Sequence, residues 1–384
     1  MSAALPQSPN ALAGAATPGL PLAAGTPGAP AAPQAFDVPR SHPRVAGAPR
    51  LTAAQGELLR EITVLDEYGE QRAIHIPAER PLTVFIDKRE LVTLMTLGAS
   101  PELLVLGYLL NQRLVTNVAE VESITVDWEV GAAAVKTHGG IADLAEKTAR
   151  RVVTTGCGQG TVFGDAMSQL GGVRLPSAAS ARIRQSTLHA LLEQMRQRNS
   201  IHRKAGSVHG CALFQGNHGP QGHRTAVPAP PGGSTATWGG PALPNERPQG
   251  HRTAAPAPPG GSTATWGGPA LPCELLMFVE DVGRHNAIDT IAGWMGLHGV
   301  AGGDKTFYTT GRLTSEMVMK AAQMGVPIIV SRNGVTAMGH GLAEQLGMTL
   351  FGRAANRHFL CYTGFERFDS EPEPQRAAVR VVAG

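Results

Sequence analysis

The chain has 384 residues, with 33 Lys plus Arg against 30 Asp plus Glu, and four cysteines. That length admits two domains, and so small a positive excess gives no electrostatic footprint for nucleic acid or a membrane surface. Four widely spaced cysteines, Cys157, Cys211, Cys273 and Cys361, do not make a secreted disulfide framework, so a cytoplasmic protein is expected. The N-terminus has no early Lys or Arg and its prolines break every apolar run, unlike a signal peptide. No stretch is long and apolar enough for a membrane span.

Residues 1–50 are dominated by Ala, Pro and Gly and read as a disordered tail. Residues 61–65 alternate as a half-buried strand does. A second strand over 81–87 turns through Asp87, Lys88 and Arg89 into a third over 90–96, which makes a hairpin. Ser100 as N-cap and Pro101 at the first helical position start a helix in which Leu103, Leu106 and Leu110 have amphipathic spacing. Strand alternation returns over 124–130, so 51–150 reads as a small β-rich domain with one helix.

Gly156, Cys157, Gly158 and Gly160 then follow one another closely. Three glycines in five residues suit a loop whose amides approach a ligand, where a thiol can react; the plain alternative is a small buried hydrophobe. Leu188, Leu191, Leu192 and Met195 mark a helix with one apolar stripe, read as core. Residues 208–214, apolar except for His209, form a short buried helix or strand. The stretch from Pro220 to Pro244 recurs from Pro248 to Pro272 with Val227 replaced by Ala255. Each unit is too rich in Pro and Gly to pack as a solenoid, so 216–272 reads as a flexible surface insertion in which His223, His251, Trp238 and Trp266 are solvated. From Leu275 onward, strands at 275–279, 306–310, 326–330 and 349–351 alternate with helices. These run from Ala287 to Trp294, carry Met317, Ala321 and Met324, and span 337–346, so that 151–384 is an α/β layered domain.

In such sheets ligands bind beyond the carboxyl ends of the strands. Here three strands end in polar loops holding an arginine: Arg284, with Glu280, Asp281 and His285; Arg312 after Gly311; and Arg332 after Ser331. Guanidinium groups so placed suit a phosphate-bearing ligand, while the alternative pairs each with a neighbouring acid, Arg284 with Asp281 or Glu280. No P-loop, Gly-x-Ser-x-Gly elbow or His-Glu-x-x-His helix is present, and Pro272-Cys273 lacks the second cysteine of a zinc deaminase. No metal site is expected.

The stretches 207–214 (Ser-Val-His-Gly-Cys-Ala-Leu-Phe), 280–287 (Glu-Asp-Val-Gly-Arg-His-Asn-Ala), 310–317 (Thr-Gly-Arg-Leu-Thr-Ser-Glu-Met) and 327–332 closely resemble the formate dehydrogenase accessory sulfurtransferase family, FdhD. The resemblance runs from about residue 60 to 366. It implies a cytoplasmic, usually dimeric protein with a cytidine-deaminase-like α/β core lacking the zinc. It further implies a sulfurtransferase that accepts persulfide sulfur from a cysteine desulfurase on Cys157. The sulfur then passes to the molybdenum bis(molybdopterin guanine dinucleotide) cofactor before that cofactor enters the catalytic subunit of formate dehydrogenase. Gly158 and Gly160 leave room for the cofactor, and Gly160 stands where most members have a second cysteine. The family's cofactor-binding stretch falls on Arg353, Ala354, Ala355, Asn356, Arg357 and His358, with Arg284, His285, Arg312 and Arg332 as further cofactor-binding residues. Glu280, Asp281 or His285 are candidates for a proton shuttle. Two other readings stay open: a chaperone that holds the cofactor without moving sulfur, and a nucleotide-base hydrolase.

Overall fold

The computed structural model describes residues 35–142, 144, 172–198, 200–216 and 273–371, together with the backbone of strands Arg151–Val153 and Thr161–Phe163. Cys157, Gly158, Gly160 and nearly all of the expected repeat insertion lie outside the described residues. The described helices of five or more residues are α1 (Pro101–Asn111), α2 (Gln185–Gln197), α3 (Ile201–Ala205), α4 (Arg284–His298), α5 (Ser315–Gln323) and α6 (Ala337–Leu346). The result is a mixed α/β fold, and among the described residues no helix is long and apolar enough to cross a membrane.

The main sheet has seven strands in the order Phe36–Asp37, Glu274–Asp281, His209–Gln215, Lys305–Thr309, Ile328–Ser331, Thr349–Ala355 and His358–Thr363. His209–Gln215 runs antiparallel to both neighbours, while Lys305–Thr309, Ile328–Ser331 and Thr349–Ala355 are parallel. The first residue of that strand therefore lies at the carboxyl ends of Glu274–Asp281, Lys305–Thr309, Ile328–Ser331 and Thr349–Ala355, with His209 opposite Asp281. Residues 208–214 resolve as strand because both faces are covered. Cys211, Leu213, Met277, Val279, Phe307 and Ile329 join one core with α4 and α5, whereas Ala212, Phe214, Phe278, Tyr308, Ile328 and Val330 join another with Leu188, Leu191 and Leu192 of α2. The period-two alternation of strands sends successive side chains to opposite faces, so anything built on the α2 face is separated by the sheet from the α4–α5 face.

A second sheet orders Arg50–Leu51, Val121–Asp127, Ala132–Thr137, Arg80–Ile86 and Arg89–Thr96. The expected hairpin turns at Asp87 and Lys88, both at positive φ (45° and 72°), and the Asp87 carboxylate accepts from the Thr137 amide (3.0 Å) and hydroxyl (2.7 Å). Leu82, Val84, Leu94 and Ile124 of this sheet share a single apolar core with α1, α4 and α5.

Helix α1 departs from the amphipathic expectation, because all but one of its residues are buried. It packs on α4 and on Val121–Asp127, and its one buried charge, Glu102, accepts from the Thr52 hydroxyl and the Ala54 amide, both at 2.6 Å. Residues 35–50 correct the expected tail of 1–50. Phe36 and Asp37 pair with Val279 and Phe278, His42 stands edge-on to Trp294 at 4.9 Å between ring centroids, and the Val45 amide donates to the Leu297 carbonyl at 3.0 Å. A few apolar and aromatic anchors suffice to bind a segment whose composition is otherwise that of a linker. The expected strand at 349–351 extends to Ala355 and returns as His358–Thr363, turning near Asn356 at φ 54°.

Candidate functional site

A cavity of about 340 Å³ opens between helices α2 and α3 and the carboxyl end of the main sheet. Gly210, Phe278, Glu280 and Tyr308 contribute from the strands and Thr310 from just past one, Leu192, Met195 and Arg196 from α2, Arg198 and Ser200 from the link into α3, and His202 and Arg203 from α3 itself. Arg332, Ala354, Ala355 and Asn356 complete the lining. A Cβ on Gly210 would rest in ordinary van der Waals contact with the Phe278 ring, at 3.4 Å.

The lining is cationic with an aromatic and aliphatic wall. Arg198 lies over the Phe278 ring, 4.6 Å from its centroid, and is ion-paired with Asp37. Arg203 donates to the carbonyl of Arg198 (3.3 Å), and Arg196 pairs with Glu193 (2.6 Å). Glu280 is the acid in the lining. Its carboxylate accepts from the amides of Ile201 (2.7 Å) and His202 (3.3 Å), so it holds the start of α3, and burial pushes its pKa up to about 6 against those hydrogen bonds. His209, at the same sheet end, is held below the usual histidine range, first by burial and then by Arg284, His202 and Arg312. Such a surface suits an anion joined to a planar group.

The other strand-end residues sit elsewhere. Arg284 is buried, packed with its Cδ against Gly311 so closely that a Cβ on that glycine would lie 2.7 Å away. Asp281 is likewise enclosed. It accepts from the Thr96 hydroxyl (2.5 Å), the Asn286 amide (2.9 Å) and the backbone of Leu97 and Gly283, and so ties the hairpin to the turn into α4. His285 stands 3.1 Å from Glu316, whose other oxygen is 3.6 Å from Lys320; Lys320 donates to Asp289 at 2.7 Å, and Asn111 to the second oxygen of Asp289 at 2.7 Å. Burial, helped by Lys320 and Arg284, lowers the His285 pKa to about 2, so the imidazole is neutral. This cluster lies among α1, α4 and α5, across the sheet from the cavity. Arg312, Arg353, Arg357 and His358 are exposed and are not among the lining residues.

The thiols differ from one another. Cys211 and Cys273 are buried, which pushes both up to about 12, and half-buried Cys361 is pushed up to about 11. None is a ready nucleophile near neutrality. Cys157 falls among the seven residues between Arg151–Val153 and Thr161–Phe163, two strands that pair antiparallel, Val153 with Thr161.

Compared with known proteins, residues 77–224 and 269–369 match the FdhD/NarQ family model. The chain belongs to the FdhD/NarQ family. Two relatives, each named sulfur carrier protein FdhD, come from Listeria innocua and Bacillus subtilis. The first is 24% identical over 292 residues, covering 76% of this chain and 90% of its own length. The second is 26% identical over 290 residues, covering 75% and 88%. A crystal structure assigned as a formate dehydrogenase accessory protein from Desulfotalea psychrophila covers 81% of this chain and 98% of that one at TM-score 0.53 and 20% identity, a likeness of fold.

Of the residues assigned to FdhD/NarQ cofactor binding from sequence, the cavity brings together Arg332, Ala354, Ala355 and Asn356. Sequence reasoning missed the cationic run Arg196, Arg198, His202 and Arg203. The signal was present as three arginines and a histidine immediately after the apolar stripe of α2, but periodicity reads that helix as core and gives its end no role.

Proposed function

We propose that the chain is a sulfur carrier for formate dehydrogenase, with Cys157 as the sulfur acceptor and the cavity as the seat for the nucleotide end of a molybdenum bis(molybdopterin guanine dinucleotide) substrate. In loading, the Cys157 thiolate attacks the outer sulfur of a cysteine desulfurase persulfide. The Cys157–sulfur bond forms, the sulfur–sulfur bond of the donor breaks, and the desulfurase thiolate leaves; release to the bound substrate then breaks the Cys157–sulfur bond, returns the Cys157 thiolate and delivers the sulfur as sulfide, with two electrons from an external thiol reductant that is oxidised to its disulfide. The observation that carries this reading is the cavity itself. Arg332, Arg203 and Arg198 offer fork donors to phosphate oxygens, and Phe278, Tyr308, Leu192 and Met195 offer an apolar wall to a purine. The raised thiols of Cys211, Cys273 and Cys361 also support Cys157 as the acceptor. A cytidine-deaminase-like layering is supported by the sheet order, with a single antiparallel strand second from one end of a five-strand core.

Gly160 motivates a second reading, in which the protein holds the cofactor without moving sulfur. Incubation with a cysteine desulfurase and cysteine labelled with sulfur-35, without reductant, separates the two. Label on Cys157, lost in Cys157→Ala together with formate dehydrogenase activity, is expected of the carrier. A protein that binds guanine nucleotide and takes no label would leave the holding role.

A further inference from the structure

Residues 35–37 precede the stretch that matches the family and yet touch residues that line the cavity. Ala35 is buried, and its carbonyl accepts from the Glu280 amide at 2.6 Å; Phe36 packs toward Ile201 and Ala205 of α3. The next residue, Asp37, is ion-paired with Arg198, and the two side chains are only 28% and 21% exposed, so solvent screens the pair less than it would at an open surface. Arg198 is at the same time a cavity residue stacked on Phe278. Arg196 is already matched by Glu193, while Arg203 and Arg332 have no acidic partner within ion-pair distance among the described residues. The cavity thus presents two guanidinium groups without an ion-paired acid, a third whose charge Asp37 balances, and the Glu280 carboxylate, which is held by the amides that start α3.

We propose that Asp37 sets the charge of the anion that the cavity accepts. By neutralising Arg198 it lowers the positive charge that faces the anion, which favours a pyrophosphate diester, with two negative charges as an internal bridge, over a free nucleoside diphosphate, whose terminal phosphate adds further charge. This rests on the reading of the cavity as a nucleotide site. Asp37 acts through Arg198 and is a specificity-determining residue without itself touching the ligand.

The test uses the full chain and three probes: guanosine, guanosine 5′-diphosphate, and guanosine 5′-diphosphate esterified with methanol at its terminal phosphate, which mimics the bridge. Asp37→Asn keeps a hydrogen-bond acceptor for Arg198 and removes the charge. It is expected to tighten the free diphosphate about five-fold and the ester about two-fold or less, to leave guanosine unchanged, and to steepen the salt dependence of diphosphate binding. In an Arg198→Gln background the same change is expected to have no effect, which separates charge balance from a general loosening of residues 35–37. If the native chain binds the probes and Asp37→Asn leaves the ratio of diphosphate to ester affinity unchanged or lowers it, the role of Asp37 is overturned and the cavity assignment stands. A native chain that binds none of the three overturns the cavity assignment itself, and the role of Asp37 with it.

Discussion

Gly107 of α1 and Gly293 of α4 face each other at backbone contact. A Cβ on Gly107 would lie 1.7 Å from the Asp289 carbonyl oxygen, and one on Gly293 would lie 2.0 Å from that of Leu103. No side-chain movement relieves a clash with backbone, so the two helices must part. Gly107→Ala is expected to destabilise the fold by about 3 kcal/mol or more, read as a lower midpoint in denaturant, and Gly293→Ala to do the same. An unchanged midpoint in either would mean that the helices do not cross this closely.

The cluster next to that crossing holds Lys320 between two buried acids, Asp289 and Glu316. Although burial opposes it, their charges keep the Lys320 pKa raised. Lys320→Met would fit the space and leave both carboxylates facing each other without a cation, at a cost of about 3–5 kcal/mol. Because protonating one acid relieves the repulsion, the deficit relative to the native chain should shrink at low pH. A variant as stable as the native chain at pH 7 would contradict the arrangement.

His285 gives the pH dependence of stability a definite sign. Its folded pKa of about 2 lies far below the 6.5 of an ordinary histidine, so between those values the unfolded chain holds a proton that the native one does not. The stability it contributes is fully present above pH 6.5 and is lost as pH falls, with a slope approaching about 1.4 kcal/mol per pH unit. Unfolding free energies measured from pH 7 to 5 should lose a slope in His285→Gln that grows toward one proton at the acid end of the window. An identical slope in both proteins would show that the imidazole is charged in the fold.

At the cavity, Arg332 is exposed along its side chain and held by its backbone, where its amide donates to the Thr309 carbonyl at 3.0 Å. Arg332→Gln should therefore leave the unfolding midpoint within about 0.5 kcal/mol of the native value. Loss of one charge-assisted contact should weaken guanosine 5′-diphosphate about ten-fold, as measured by calorimetry. Native-like affinity would remove Arg332 from the site.

Much of the fold is legible in local pattern, as the helix at 337–346 and the turn at Asp87 and Lys88 show. Patterns tied to tertiary context are less so. The apolar spacing of Leu103, Leu106 and Leu110 describes one face of α1, whereas Gly107, which lets the opposite face meet a second helix, carries no hydrophobic signal. Arg284, Arg312 and Arg332 occupy equivalent places after three strands, yet only Arg332 lines the cavity. Arg284 begins a helix that turns it inward against Gly311, and no spacing along the chain encodes that rotation. Arg198 was invisible as a site residue because its partners, Asp37 and Phe278, are distant in sequence.

The two residues Phe36 and Asp37, with the Ala35 carbonyl, do something for the molecule beyond tuning a ligand. They occupy the outer edge of Glu274–Asp281, an eight-residue strand rich in Leu, Met, Phe and Val. A chain trimmed to begin at residue 77, where the family match starts, would leave that edge open as a template for strands of other copies. Poor solubility of the trimmed chain, with fibrillar or amorphous deposits, would then follow from an uncovered edge, whether or not the site itself had formed.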